Sequence, residues 1–130
     1  MAKKQKTAPT EYWKPEPGEH DYPAAADYLS LLFSESDAAA IVDRLRGETI
    51  VHRKAKDLLR ASRLDLLPRD DPEVKRDLKK VAAGERLSPV LVVRSGGGSP
   101  LIVADGYHRI CASYHLDEDT EIPCRVGDAT

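Results

Sequence analysis

The stretch Val103-Ala-Asp-Gly-Tyr-His-Arg109 decides how the chain is read. An apolar run, Leu101-Ile-Val-Ala104, leads into Asp105 and Gly106. Tyr107, Ile110, Cys111 and Tyr114 then recur at i, i+3, i+4 and i+7. Across one glycine the pattern changes from that of a strand to that of one helical face. Gly106 permits a tight turn and the close approach of a ligand. The first N–H groups of the following helix have no intrahelical acceptor, and the positive end of its dipole points at the turn. A junction of this kind is ready to bind an anion. Arg109 falls in the first turn, where its planar fork matches two phosphate oxygens. His108 can donate a hydrogen bond or, when neutral, carry a proton. Asp105 can ligate the Mg²⁺ that accompanies a nucleotide phosphate. Gly106, Tyr107, His108 and Arg109 are thus the expected phosphate-binding residues, and Asp105 the expected metal ligand. Taken singly, each has an ordinary structural use: a turn glycine, a surface ion pair, a helix N-cap.

Upstream of the motif, Pro89-Val-Leu-Val-Val-Arg94 is a continuous apolar run, the pattern of a strand covered on both faces. Gly96-Gly-Gly-Ser-Pro100 reads as the turn of a hairpin to the strand that ends at Ala104. Asp71-Pro72 opens a helix, with Asp as N-cap and Pro in the first turn, and Val74, Leu78, Val81 and Ala82 form its buried face. Leu64 and Leu66 alternate as in a short strand. Downstream, Ile122, Cys124 and Val126 alternate in a last strand. Residues 63–127 therefore predict strand, helix, strand, strand, helix, strand. Before them, three helical stripes predict a helical cap over residues 23–62: Ala25 to Phe33, Ala38 to Leu45, and Val51 to Leu59. Ser34 is an N-cap and Gly47 a stop. Residues 1–22 carry several prolines and no hydrophobic period, and read as a mobile tail whose Tyr12 and Trp13 lie on the body.

The chain has 130 residues, 20 Lys plus Arg and 22 Asp plus Glu. That length predicts one domain. A net charge of −2 argues against binding to nucleic acid or membrane by bulk charge. No apolar run approaches the roughly 18 residues of a membrane span, and no signal peptide is evident, so a cytoplasmic location with reduced thiols is expected. Cys111 and Cys124 fall on predicted core faces and read as buried thiols. Seven basic residues between Arg44 and Arg63 form a basic stretch that could touch a nucleic-acid backbone, though a solvated face is the commoner use.

The segment from about Leu64 to Val126 resembles the ParB/sulfiredoxin-like superfamily. The resemblance rests on Leu67-Pro-Arg-Asp-Asp-Pro-Glu-Val74 opening a helix, an apolar strand after Leu87-Ser-Pro, the Asp-Gly-Tyr-His-Arg run and the closing Glu121-Ile-Pro-Cys-Arg-Val126. It implies an α+β fold, a small mixed sheet flanked by helices, here behind an N-terminal helical cap. It also implies that Gly106 and Arg109 bind nucleotide phosphates. Sulfiredoxins carry a catalytic cysteine where this chain has Tyr107, so peroxiredoxin repair is not expected. Chromosome-partition ParB proteins continue into a helix-turn-helix domain, and site-specific DNA binding of that kind is not expected of this chain. The Asp-Gly-x-His-Arg variant is most similar to small phosphotransferases of the family, in which an acid nearer the chain start acts as base. Asp70, Asp71 and Glu73 are the positions that could supply it. Glu73, Asp70 and His108 are accordingly the candidate catalytic residues, Mg²⁺ and ATP or another nucleotide the implied cofactors, and a small-molecule hydroxyl the implied acceptor. The competing readings are a nucleotide-sensing or protein-binding module without turnover, and a nucleic-acid-associated ParB-like factor.

Overall fold

The backbone of the computed structural model, which describes residues 12–130, is organised by a four-stranded mixed sheet. Its strands are β1 (Ile50–Lys54), β2 (Val90–Arg94), β3 (Ile102–Asp105) and β4 (Glu121–Asp128), in the spatial order β1-β4-β2-β3. β4 runs parallel to β2, and the two outer pairs are antiparallel. Five helices flank the sheet: α1 (Asp21–Leu29), α2 (Glu35–Gly47), α3 (Ala55–Ser62), α4 (Pro72–Ala82) and α5 (Tyr107–Leu116). The protein is therefore α+β, as its sequence predicts. No helix among the described residues is long and apolar enough to cross a membrane.

Strand β2 shows why both faces are covered. Val90 and Val92 point into one apolar cluster with Leu58 of α3, Val74 of α4 and Ile110 of α5. Leu91 and Val93 point into a second cluster with Leu29 of α1 and Ile41 and Leu45 of α2. All four are fully buried. Each such side chain stabilises the fold by roughly 1.5–3 kcal/mol. Helix starts follow the sequence signals. Ser34 Oγ accepts from the Asp37 N–H, and Asp71 Oδ2 accepts from the N–H groups of Glu73 and Val74.

Three expectations are corrected. Residues 50–54 are strand β1, not helix: Val51 pairs opposite Cys124 of β4, and this pairing overrides the helical spacing of Val51 with Ala55 and Leu58. The supposed cap over residues 23–62 is thus no separate unit, because it contributes a strand to the common sheet. Residues 64–66 form no strand. Here α5 holds single carbonyls instead: Tyr107 Oη donates to that of Asp65 at 2.5 Å, and His115 Nε2 to that of the following Leu67 at 2.7 Å. Finally, residues 12–22 are placed on the fold rather than free, and Trp13 lies on the body as its sequence predicts. Trp13 is only 2% exposed. Its neighbours pair with the turn before β2, Leu87 N–H donating to the Tyr12 carbonyl and Lys14 N–H to the Leu87 carbonyl. An indole of this size docks because it buries some 150–250 Å². Residues 1–11 of the expected tail lie outside the described residues.

Candidate functional site

The start of α5 is the centre of the candidate site. Gly106 is its N-cap, with φ at +114° and no side chain to cap the first turn. In this α5 is like α1 and α3 and unlike α2 and α4, which have side-chain caps. A Cβ on Gly106 would lie 2.4 Å from Val90 Cγ1 and 2.9 Å from Arg109 Nη2. The glycine is thus required by strand β2 beneath it and by its own backbone, whether or not a ligand approaches.

Arg109 is gripped by carboxylates. Its Nη2 donates to Asp105 Oδ2 at 2.8 Å, and its Nη1 lies 3.7 Å from Asp21 Oδ1. Its Nε is buried with no partner among the described residues. Asp21, at the start of α1, is 3% exposed and accepts the Gly18 N–H at 2.9 Å. Burial pushes the Asp105 carboxyl above the usual range, and the neighbouring Asp21 adds to this, while the Arg109 charge opposes it. Asp105 is therefore committed to Arg109. The carboxylate expected to ligate Mg²⁺ is thus engaged by Arg109 in this structure.

A concavity of about 290 Å³ opens at this helix start. Asp105, Gly106, Tyr107, His108 and Arg109 form one wall. Glu73, Arg76, Asp77 and Lys80 of α4 form another, and Lys14, His20, Arg86 and Ser88 complete the rim. The structure thus brings Glu73 and His108 to the helix start. It does not bring Asp70, which lies in the exposed turn before α4, or Asp71, whose carboxylate is spent on the cap. Glu73 itself pairs with Arg76 at 2.9 Å. Tyr107 lines the wall, but its hydroxyl is used on the Asp65 carbonyl rather than left for a phosphate.

Asp77 was not anticipated as a site residue. It is 8% exposed, and burial raises its carboxyl above the usual range against the pull of Arg109, Lys80 and His108. The sequence does carry a signal for it: Val74, Asp77, Leu78 and Val81 fall at i, i+3, i+4 and i+7, so an acid sits inside the apolar stripe of α4. Asp21 shows the same pattern ahead of Ala25 and Leu29. Lys14, His20, Lys80 and Arg86 have no such local mark, because tertiary folding alone gathers them.

Cys111 and Cys124 are fully buried, as expected. Burial pushes the Cys111 thiol up and that of Cys124 to about 11, so neither is a ready thiolate. The seven basic residues from Arg44 to Arg63 do not form one face. They are spread over α2, β1, α3 and its C-cap, and each has a partner: Arg44 the Asp128 carbonyl, Arg46 Glu19, Arg53 the His52 carbonyl, Lys54 and Lys56 Asp119, Arg60 Asp57 and Arg63 the Gly98 carbonyl.

No protein-family model matches the chain, and no curated protein or solved structure matches it either. Its functional reading rests on this geometry and on the Asp105–Arg109 motif.

Proposed function

We propose that the chain binds the phosphate groups of a nucleotide of the ATP, ADP or CTP class at the start of α5, as a domain of the ParB/sulfiredoxin-like kind. One observation carries the reading: a helix start without a side-chain cap opens into a concavity lined by five Lys and Arg residues against three carboxylates. Lys14, Lys80 and Arg86 form no ion pair among the described residues, so their charges remain available to an anion. The helix dipole and open N–H groups act in the same direction. A volume near 290 Å³ lies at the small end of small-molecule sites, roughly 300–1,000 Å³. It suits the phosphates, with sugar and base on the open side.

Transfer of the terminal phosphoryl group to a small-molecule hydroxyl or to water is a second reading. It is favoured by Glu73 and His108 standing in the wall of the same concavity. Such a reaction depends mainly on positioning and charge stabilisation. A sensing or protein-binding module is the outcome if nucleotide binds without turnover. The nucleic-acid reading is not favoured, because the basic stretch is dispersed and paired.

A thermal-shift screen of ATP, ADP, CTP and pyrophosphate, with and without Mg²⁺, tests the binding. A ligand at a hundred times its Kd stabilises by about 2.7 kcal/mol. Arg86→Ala should reduce the shift without lowering the Tm of the free protein. No shift with any phosphate compound would remove the reading. Release of labelled phosphate, or its transfer to a panel of alcohols, separates enzyme from module.

A further inference from the structure

Asp77 stands in the wall of the concavity, and phosphate binding gives it no task. Its residue is more than nine-tenths buried. Among the described residues its carboxylate accepts no hydrogen bond and forms no ion pair; Arg109 and His108 of α5 and Lys80 and Glu73 of α4 act on it only through their charges. Its oxygens keep a little surface towards the concavity, where they are open to a donor from a ligand. The helix start beside it shows the same deficit with opposite sign, open donors without an acceptor. Together they describe a ligand with an acceptor-rich anionic group at one end and a hydrogen-bond donor at the other.

We infer that the pocket selects a phosphate ester that also carries a hydroxyl group, and that Asp77 accepts the hydrogen bond from that hydroxyl while the phosphate lies at the start of α5. This rests on the phosphate reading and adds the ligand class to it. The donor is a hydroxyl rather than an ammonium because Asp77 already lies in the field of Arg109, Lys80 and His108. A further cation would be repelled by them, whereas a neutral O–H would not. A site that has a buried acceptor to satisfy rejects the analogue that lacks the donor, because the acceptor is then left unpaired.

Titration calorimetry of the whole chain with three probes tests this: pyrophosphate, glycerol phosphate, and propyl phosphate, which has the same carbon chain without hydroxyls. All three should bind, with glycerol phosphate at least about tenfold tighter than propyl phosphate. Asp77→Ala should bring that ratio close to one and leave pyrophosphate affinity equal or higher, since a negative charge is lost. Asp77→Asn keeps the side-chain volume and should lower the ratio by a smaller factor, which covers the case in which the alanine variant fails to fold. Equal binding of glycerol phosphate and propyl phosphate, with pyrophosphate still bound, overturns the inference and spares the phosphate site. An unchanged ratio in both variants overturns it as well, by assigning the hydroxyl elsewhere. If none of the three probes binds, the phosphate reading fails and takes the inference with it.

Discussion

Arg109 is the residue on which most of the site's charge converges. As a phosphate ligand alone it could be removed at little cost to the fold. Its grip on Asp105 and Asp21 changes that expectation. Arg109→Ala leaves two largely buried carboxylates without their cation, and should cost about 2–3 kcal/mol of stability, near the upper range for hydrogen bonds to charged groups. The double variant Arg109→Leu with Asp105→Leu should lose less than the sum of the two single changes, because it removes a charge together with its partner. Denaturant unfolding of the three variants checks this, and strict additivity would show that the pair is not coupled. Gly106 makes a second prediction at this scale. Gly106→Ala must place a Cβ against Val90 with φ at +114°. The left-handed backbone costs roughly 1–2 kcal/mol before the clash is counted. Val90→Ala removes the 2.4 Å contact but keeps the Cβ contact at 2.8 Å, so it should rescue the stability of Gly106→Ala only in part. Full rescue would mean that the backbone conformation carries no strain.

At the scale of elements, α5 does two jobs with its two ends. Its start faces the concavity, while Tyr107, Arg69 and His115 tie it to the segment before α4. Tyr107→Phe should therefore cost about 0.5–1.5 kcal/mol, the worth of one hydrogen bond, and leave phosphate affinity unchanged. A loss of affinity at constant stability would return Tyr107 to the phosphate. These ties also explain which elements the sequence made legible. Helices α2 and α4 announce themselves through Ser34 and Asp71, and β2 through four consecutive apolar residues. Those signals are local. The strand character of residues 50–54 is not, because it depends on β4, some seventy residues away. The alternation of Leu64 and Leu66 misleads for the complementary reason: no strand lies beside it, and Tyr107 of α5 takes the Asp65 carbonyl between them. The motif wall of the site was legible for the same reason as α4, being one contiguous run. Lys14, His20 and Arg86 were not, since only the docking of residues 12–14 on Leu87 brings the first two near α5.

For the whole molecule, the buried acids give stability a pH dependence of unusual sign. The carboxyls of Asp77 and Asp105 are raised above the ordinary value of 3.8. The folded state thus holds these protons more tightly than the unfolded chain. Their contribution is fully present below the unfolded value and is lost as the pH rises through the raised folded value. Around Asp77 the opposing charges are Arg109, Lys80 and His108, with Glu73 acting the other way. Asp77→Asn should raise the Tm near neutral pH, and the gain should shrink as the pH approaches 4. Calorimetric scans at the two ends of that range decide the matter, and a gain that grows on acidification would contradict the assignment. Surface pairs behave oppositely: Lys56 holds Asp119 below its ordinary range, but both are solvent-exposed and contribute little.

The docking of Trp13 against Leu87 has a consequence for how the chain is made. During synthesis Trp13 leaves the ribosome some seventy residues ahead of Leu87, its place of attachment. At about 5–20 residues per second, the indole waits several seconds with its apolar surface in water. The final strand β4, which lies between β1 and β2, emerges later still. The sheet cannot be completed before β4 has been released. Lys14 and His20 then reach the concavity in the last stage of assembly, so a nascent chain halted after the Asp105–Arg109 motif carries the motif without the finished pocket.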